Sequence, residues 1–297
     1  MEIMMKEIDV LSTFYENADL DDIAQANIYL EAGGTGKIAE AISRVGEKIK
    51  RTIRLIHEYY HELRLRIEEQ CINKRLSRLL ENTTYEIGVT TKEGAIALNA
   101  KKLMLIQDDA VKKINHVRVK YAAGSLSDND ANAQVRAITT KAVSDIKKTA
   151  EEILSKSDVK SGNAKGTTKP VYKKDIERIL RNYQDEYNKI TAKLEDSCTK
   201  NIEHVWMTAK KKKNPTEKDL AFDQLTASWF SLLNKAVGSE TSKIFTALTK
   251  GVVVASPSKT VEIDLKKDRD MMTAYGTAMG VKMSMHGGVG MSAHITS

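Results

Sequence analysis

The feature that most constrains this chain is a run of apolar residues at Ile38, Ile42, Val45, Ile49, Ile53, Ile56, Tyr60, Leu63, Ile67 and Cys71. The steps alternate between three and four, which puts every one of these side chains on one face of an α-helix. Continued to about Glu81, the helix would be roughly 65 Å long at ~1.5 Å per residue. That is too long to cross a compact globule and suits a bundle or coiled coil.

Similar stripes recur along the chain. Thr90 followed by Glu93 predicts a capping box, and Ile96, Ala100, Leu103, Ile106, Ala110, Ile114, Val117 and Tyr121 follow as an apolar face. Ala122-Ala123-Gly124-Ser125 ends that helix, and the next starts near Asp128 with Val135, Ile138, Ala142, Ile146 and Ile153 inward. A further helix is predicted from about Lys173 to Lys211. Pro215 breaks it, and Thr216 with Asp219 starts another bearing Phe222, Leu225, Trp229, Leu232, Ala236, Ile244 and Leu248. Strand signals are sparse: Tyr85–Val89 and the alternating Thr260–Leu265. The predicted fold class is all-α, an elongated bundle of long amphipathic helices. Three prolines and 5% aromatic residues fit that class.

The predicted organisation is an acidic leader and glycine break over 1–36 and an N-terminal helical region over 37–157. A polar linker over 158–172, a C-terminal helical region over 173–255 and a tail over 256–297 follow. From Met271 the tail holds six methionines and five glycines, a composition that does not specify a core and predicts flexibility. The chain has no stretch near the roughly 18 apolar residues of a membrane span, and its N-terminus carries acids where a secretory signal would carry bases. Two cysteines, Cys71 and Cys198, do not make a disulfide framework. Together these features predict a product of the cytoplasm or of a particle assembled there.

One motif points to chemistry. His57-Glu58-Tyr59-Tyr60-His61 is H-E-x-x-H, in which two histidines one turn apart hold zinc and the glutamate acts on the metal-bound water. Read so, the chain is a zinc metallopeptidase with His57 and His61 as ligands and Glu58 as the catalytic base, and these five residues resemble the zincins. A third ligand is needed, and only Glu81 or His116 can be nominated. At ~100° per residue His57 lies about 75° from the centre of the apolar stripe and His61 about 115° from it. That placement puts His57 at the border of the core and His61 towards solvent, and favours a non-enzymatic chain with no catalytic residue and no cofactor. Gly33-Gly34-Thr35-Gly36-Lys37 imitates a phosphate-binding loop, but Glu31 and Ile38 stand where the loop needs Gly and Ser or Thr.

Charge is distributed unevenly. Residues 1–31 hold eight acids and one base, for −7, while the rest of the chain carries +14 and the whole +7. Basic clusters occur at Lys48, Lys50, Arg51 and Arg54, at Lys74, Arg75 and Arg78, around the linker, and at Lys210, Lys211, Lys212 and Lys213. Lysine-rich patches suit sequence-independent phosphate contact, and the four-lysine run is the candidate anion or DNA contact.

An acidic leader, then Tyr29-Leu30-Glu31-Ala32-Gly33, then basic amphipathic helices, resembles the internal or structural virion proteins of large tailed bacteriophages. In those proteins a head-maturation protease removes an acidic propeptide, cutting after glutamate and before a small residue. The resemblance implies cleavage between Glu31 and Ala32, although Tyr29 stands where an aliphatic residue is usual. It also implies that partners are other virion or scaffold proteins, with nonspecific DNA and further copies of the chain (a homo-oligomer) beside them. A helical scaffold or adaptor without nucleic-acid binding is the remaining alternative.

Overall fold

The computed structural model describes residues 2–32, 38–81, 83–86, 94–155, 171–212, 214–250, 254–257, 281–285 and 291–295. The chain is all-α in class. Among the described residues, six helices of 28 residues or more carry the fold: α1 (Glu2–Ala32), α2 (Ile38–Arg66), α4 (Ala95–Ala122), α5 (Asp128–Ser155), α6 (Lys173–Lys211) and α7 (Glu217–Lys250). A π-helical segment, Ile67–Asn73, and a single turn, α3 (Lys74–Leu76), extend α2. None of these helices is long and apolar enough to cross a membrane.

Local chemistry sets the helix ends. Gly124, at φ +70°, terminates α4 with the Ser125 N–H on the Lys120 carbonyl and the Gly124 N–H on the Tyr121 carbonyl. This is the paired hydrogen-bond stop that glycine makes accessible at a left-handed position. Ser127 then caps α5 by accepting from the Asp130 N–H at 3.1 Å. At α7, Thr216 and Asp219 exchange side-chain and backbone hydrogen bonds at 2.9 and 3.1 Å, forming a capping box. The predicted start of α4 at Thr90 lies outside the described residues; the described helix begins after Gly94.

α7 is the hub. It packs against α1, α2, α4, α5 and α6, and nearly every residue from Leu220 to Thr249 is buried. A helix buried on all sides is normally apolar all round, yet α7 buries Gln224, Ser228, Ser231, Asn234, Lys235, Ser242 and Thr246 among others. Two properties make this tolerable. Serine and threonine satisfy their own hydroxyls on the preceding turn, as Thr226 does on the Phe222 carbonyl (2.9 Å) and Ser242 on that of Gly238 (2.8 Å). Their small volumes also let five helices approach one axis. The amphipathic stripe expected here is therefore wrong in kind: α7 has no solvent face, and Leu232, expected inward, is one of its few partly exposed residues.

The long stripe on α2 is placed largely as expected, with corrections. Val45, Ile49, Ile56, Tyr60, Leu63, Ile67 and Cys71 are buried, but Ile38 is exposed and Ile42 and Ile53 lie at the border. Tyr59, outside the stripe, is fully buried. Beyond Leu63 the apolar steps lengthen to four, four and then five through Ile67, Cys71 and Leu76. A regular helix would rotate them off the core. The wider i→i+5 turns of the π segment hold them on it. On α4, Gln107 is buried where Ile106 was expected. The two predicted helical regions share one hydrophobic core, which runs from Ile8 in α1 to Leu248 in α7.

Three short strands join segments distant in sequence. β1 (Thr84–Glu86) pairs antiparallel with β2 (Val171–Tyr172) and with β3 (Val254–Pro257). β1 overlaps the predicted Tyr85–Val89 strand at Tyr85 and Glu86; the rest of that strand lies outside the described residues, as does the strand predicted at Thr260–Leu265. In the predicted flexible tail, β4 (Val281–Met285) and β5 (Met291–Ile295) pair as an antiparallel ladder.

The core is closely packed at Gly238, where an added Cβ would lie 2.9 Å from the Tyr60 hydroxyl oxygen and 3.1 Å from the Tyr59 ring. Neither fully buried ring has room to retreat. Gly238→Ala is expected to lower unfolding stability by about 1–3 kcal/mol, the usual range for overpacking. Urea unfolding checks it, and an unchanged midpoint would contradict the close packing.

Candidate functional site at the leader helix

α1 carries most of the acidic leader, and its buried positions are Ile8, Leu11, Ser12, Tyr15, Asp19, Asp22, Ile23 and Ala26. Their spacing of three and four makes an inner stripe that lies along α7. Two aspartates therefore occupy core positions. Asp19 is met by Lys235 of α7: the Lys235 Nζ lies 2.8 Å from Asp19 Oδ2, and both side chains are 0% exposed. Ser231 donates to the same oxygen at 3.3 Å, and the lysine also donates to the Tyr15 carbonyl at 3.4 Å.

Aromatic residues wall this pair. Tyr15, Tyr59 and Tyr60 form an edge-to-face chain with ring centroids 5.3 and 5.2 Å apart. The Tyr59 hydroxyl donates to the Lys235 carbonyl (2.8 Å) and the Tyr60 hydroxyl to Asn234 Oδ1 (2.8 Å). Asn234 in turn donates to the Leu194 carbonyl of α6 at 3.0 Å. The ion pair is thus built into a polar network spanning α1, α2, α6 and α7.

Further charges tie the leader to the basic body. Lys243 of α7 reaches Asp9 (2.6 Å) and Glu240 (3.0 Å). Arg51 of α2 faces Asp22 at 3.9 Å, and Lys48 donates to Gln25 at 2.8 Å. Arg66 donates to the Glu7 carbonyl, and the Gln70 amide to the Glu7 carboxylate. Burial pushes the Asp19 carboxyl up to about 6, against the pull of Lys235 and Ser231. It also raises Asp22, whose carboxylate oxygens accept no hydrogen bond, and Glu240.

The residues singled out from the sequence fall elsewhere. His57, Glu58 and His61 are exposed. His57 Nδ1 sits 2.6 Å from Glu195 Oε1, which shares its carboxylate with Arg64, and Glu58 pairs with Arg54 at 3.5 Å. Among the described residues, no group of three or more His, Cys, Asp or Glu is placed to hold a metal ion. Glu31 and Ala32 are the last two residues of α1. The four-lysine run is divided. Lys210 lies over the Trp206 ring at 4.7 Å, and Lys211 is exposed. Lys212 turns back to Asp219 and Asp223 at 3.5 and 3.3 Å, and Lys213 lies outside the described residues. Arg118 completes that cluster on Asp223 at 2.8 Å.

Sequence reasoning missed Asp19, Lys235, Tyr15, Tyr59 and Asn234. A signal for one of them was present: from Gln224 to Ser239 the only charged residue is Lys235. A lone charge in a long uncharged helix has to find a buried partner, though nothing local says which.

The chain matches no family model, no curated protein and no solved structure, so its function is read from this geometry. The raised Asp19 pKa has a testable consequence. Because the folded value, about 6, lies above the ordinary 3.8, the folded chain holds a proton that the unfolded chain has released. The stabilisation from that proton is complete below pH 3.8 and is lost as pH rises through 6, about 3 kcal/mol in all. Unfolding free energies measured from pH 4 to 7 are expected to show this fall, and Asp19→Asn to flatten it; equal slopes in the two proteins would contradict the assignment.

Proposed function

We propose that this chain is a non-enzymatic structural protein of the virion-interior kind. It acts by packing its long helices against partner proteins and by contacting nucleic acid without sequence preference. The observation that supports the reading is the complementarity of leader and body. Acids of α1 lie on bases of α2 and α7 through Asp9–Lys243, Asp19–Lys235 and Asp22–Arg51. While the leader is docked, part of the basic charge of the body is neutralised internally.

Displacing the leader, or cutting it at Glu31–Ala32, frees that charge. The body left behind has a net charge of +14, and such a surface is favoured beside DNA. The contact is expected on the face of α2 rather than at the four-lysine run. Lys48, Lys50, Arg51 and Arg54 lie within two turns of one another there; the first and third engage the leader, and Lys50 and Arg54 pair at the surface with Glu47 and Glu58 of their own helix. Lys212 is committed to α7.

Two measurements test this. In protein isolated from its natural source, N-terminal sequencing is expected to find a start at Ala32. Chains with the leader removed after folding are expected to bind duplex DNA more tightly than the intact chain. The slope of log affinity against log salt is then roughly −3 to −4, as for about four phosphate contacts. A natural start upstream of residue 32, with no salt-dependent binding after leader removal, would overturn the proposal and favour a scaffold or adaptor without a nucleic-acid role.

A further inference from the structure

α1 has a second stripe, on the side away from the body. Val10, Phe14, Asn17, Asp21, Ala24 and Ile28 are all exposed. They follow one another at steps of four, three, four, three and four, the spacing of a coiled-coil seam. Val10, Phe14 and Ile28 are 67, 64 and 63% exposed, and Leu20, beside the seam, is 48% exposed. Between residues 5 and 28 of α1 no other large apolar side chain is exposed. The helix thus buries one face against α7 and presents a second apolar face to solvent.

The seam is self-complementary. Its six positions are symmetric about Asp19, so a two-fold axis at that level sets Val10 against Ile28, Phe14 against Ala24 and Asn17 against Asp21. Apolar residues meet apolar ones, the largest meets the smallest, and the acid meets an amide that can donate to it. Leu20 meets its own counterpart near the axis. In a parallel pair, by contrast, Asp21 would face Asp21 and Phe14 would face Phe14. The charge pattern points the same way. Asp19 and Asp22 are turned into the body, and Asp9 is held by Lys243. Only Asp21 of the leader's acids lies between Val10 and Ile28 on the seam.

We propose that a second copy of this chain docks on the outer face of α1, antiparallel, through this seam. The contact is isologous, so it closes on itself as a two-fold dimer. From Val10 to Ile28 the seam spans about 27 Å of helix. With a width near ~10 Å the footprint is roughly 270 Å² on each copy, smaller than the roughly 800 Å² per partner of a standard specific interface. The dimer is therefore weak and concentration-dependent. The inference stands apart from nucleic-acid contact: a chain that dimerises through α1 and ignores DNA would keep this seam and lose only the DNA role.

Sedimentation equilibrium of the full chain across the micromolar range is expected to show a monomer–dimer equilibrium. Phe14→Glu and Ile28→Glu alter exposed side chains, so helicity by circular dichroism is expected to be kept while dimerisation weakens at least tenfold. Register is read by disulfide trapping, since Cys71 and Cys198 are buried. Val10→Cys and Ile28→Cys chains are expected to cross-link when mixed and not when alone, their like positions lying about 27 Å apart along the antiparallel pair. A monomer at every concentration would overturn the proposal. So would a dimer indifferent to Phe14→Glu, or cross-linking of each single variant to itself with none in the mixture.

Discussion

The burial of Lys235 against Asp19 is the contact on which the rest of the structure depends. α7 is enclosed by five helices, and burying an ammonium at its centre is costly unless it is paired. The partner comes from α1, 216 residues away in sequence. Placing Asp19 beside Lys235 fixes the rotation of α1 about its axis. That rotation puts Ile8, Leu11, Tyr15, Ile23 and Ala26 on the core and Val10, Phe14 and Ile28 outside. It also brings Asp9 to Lys243 and Asp22 to Arg51.

The acidic leader is consequently a structural layer of the bundle as well as a carrier of charge. Each fully buried large side chain it contributes is worth about 1.5–3 kcal/mol of transfer free energy. Its departure therefore demands that something else cover α7. A protein that sheds this helix during assembly would have to exchange it for a partner surface, which couples unmasking of the basic face to docking. The raised carboxyls at the contact set the direction of its pH response: protons taken up by Asp19, Asp22 and Glu240 favour the docked state, and loss of those protons loosens it.

Much of the fold was legible in the sequence because it is encoded locally. The bounds of α6, the glycine stop of α4 and the capping box of α7 follow from residues within one turn of each event. Helix phase also places His61 outward and Tyr60 inward, as the structure has them, while His57, expected at the border, is exposed. What was illegible depends on contacts distant in sequence. The inner stripe of α1 contains two aspartates, so it does not register as apolar until Lys235 and Arg51 are seen opposite. α7 reads as amphipathic because its serines and threonines look like a polar face; in the fold they bond to their own helix. The four-lysine run looked like a free basic patch, but Lys212 has Asp219 and the buried Asp223 within reach.

A double-mutant cycle on Asp19 and Lys235 tests this dependence most directly. Lys235→Met leaves a buried carboxylate alone, and Asp19→Leu leaves a buried ammonium. Each single change is expected to destabilise the chain at pH 7 by about 3–5 kcal/mol. The double variant is expected to recover most of that loss, with a coupling energy of at least about 2 kcal/mol. Single effects that simply add, or that both fall within about 0.5 kcal/mol of zero, would contradict the claim that this ion pair seats α1 on α7.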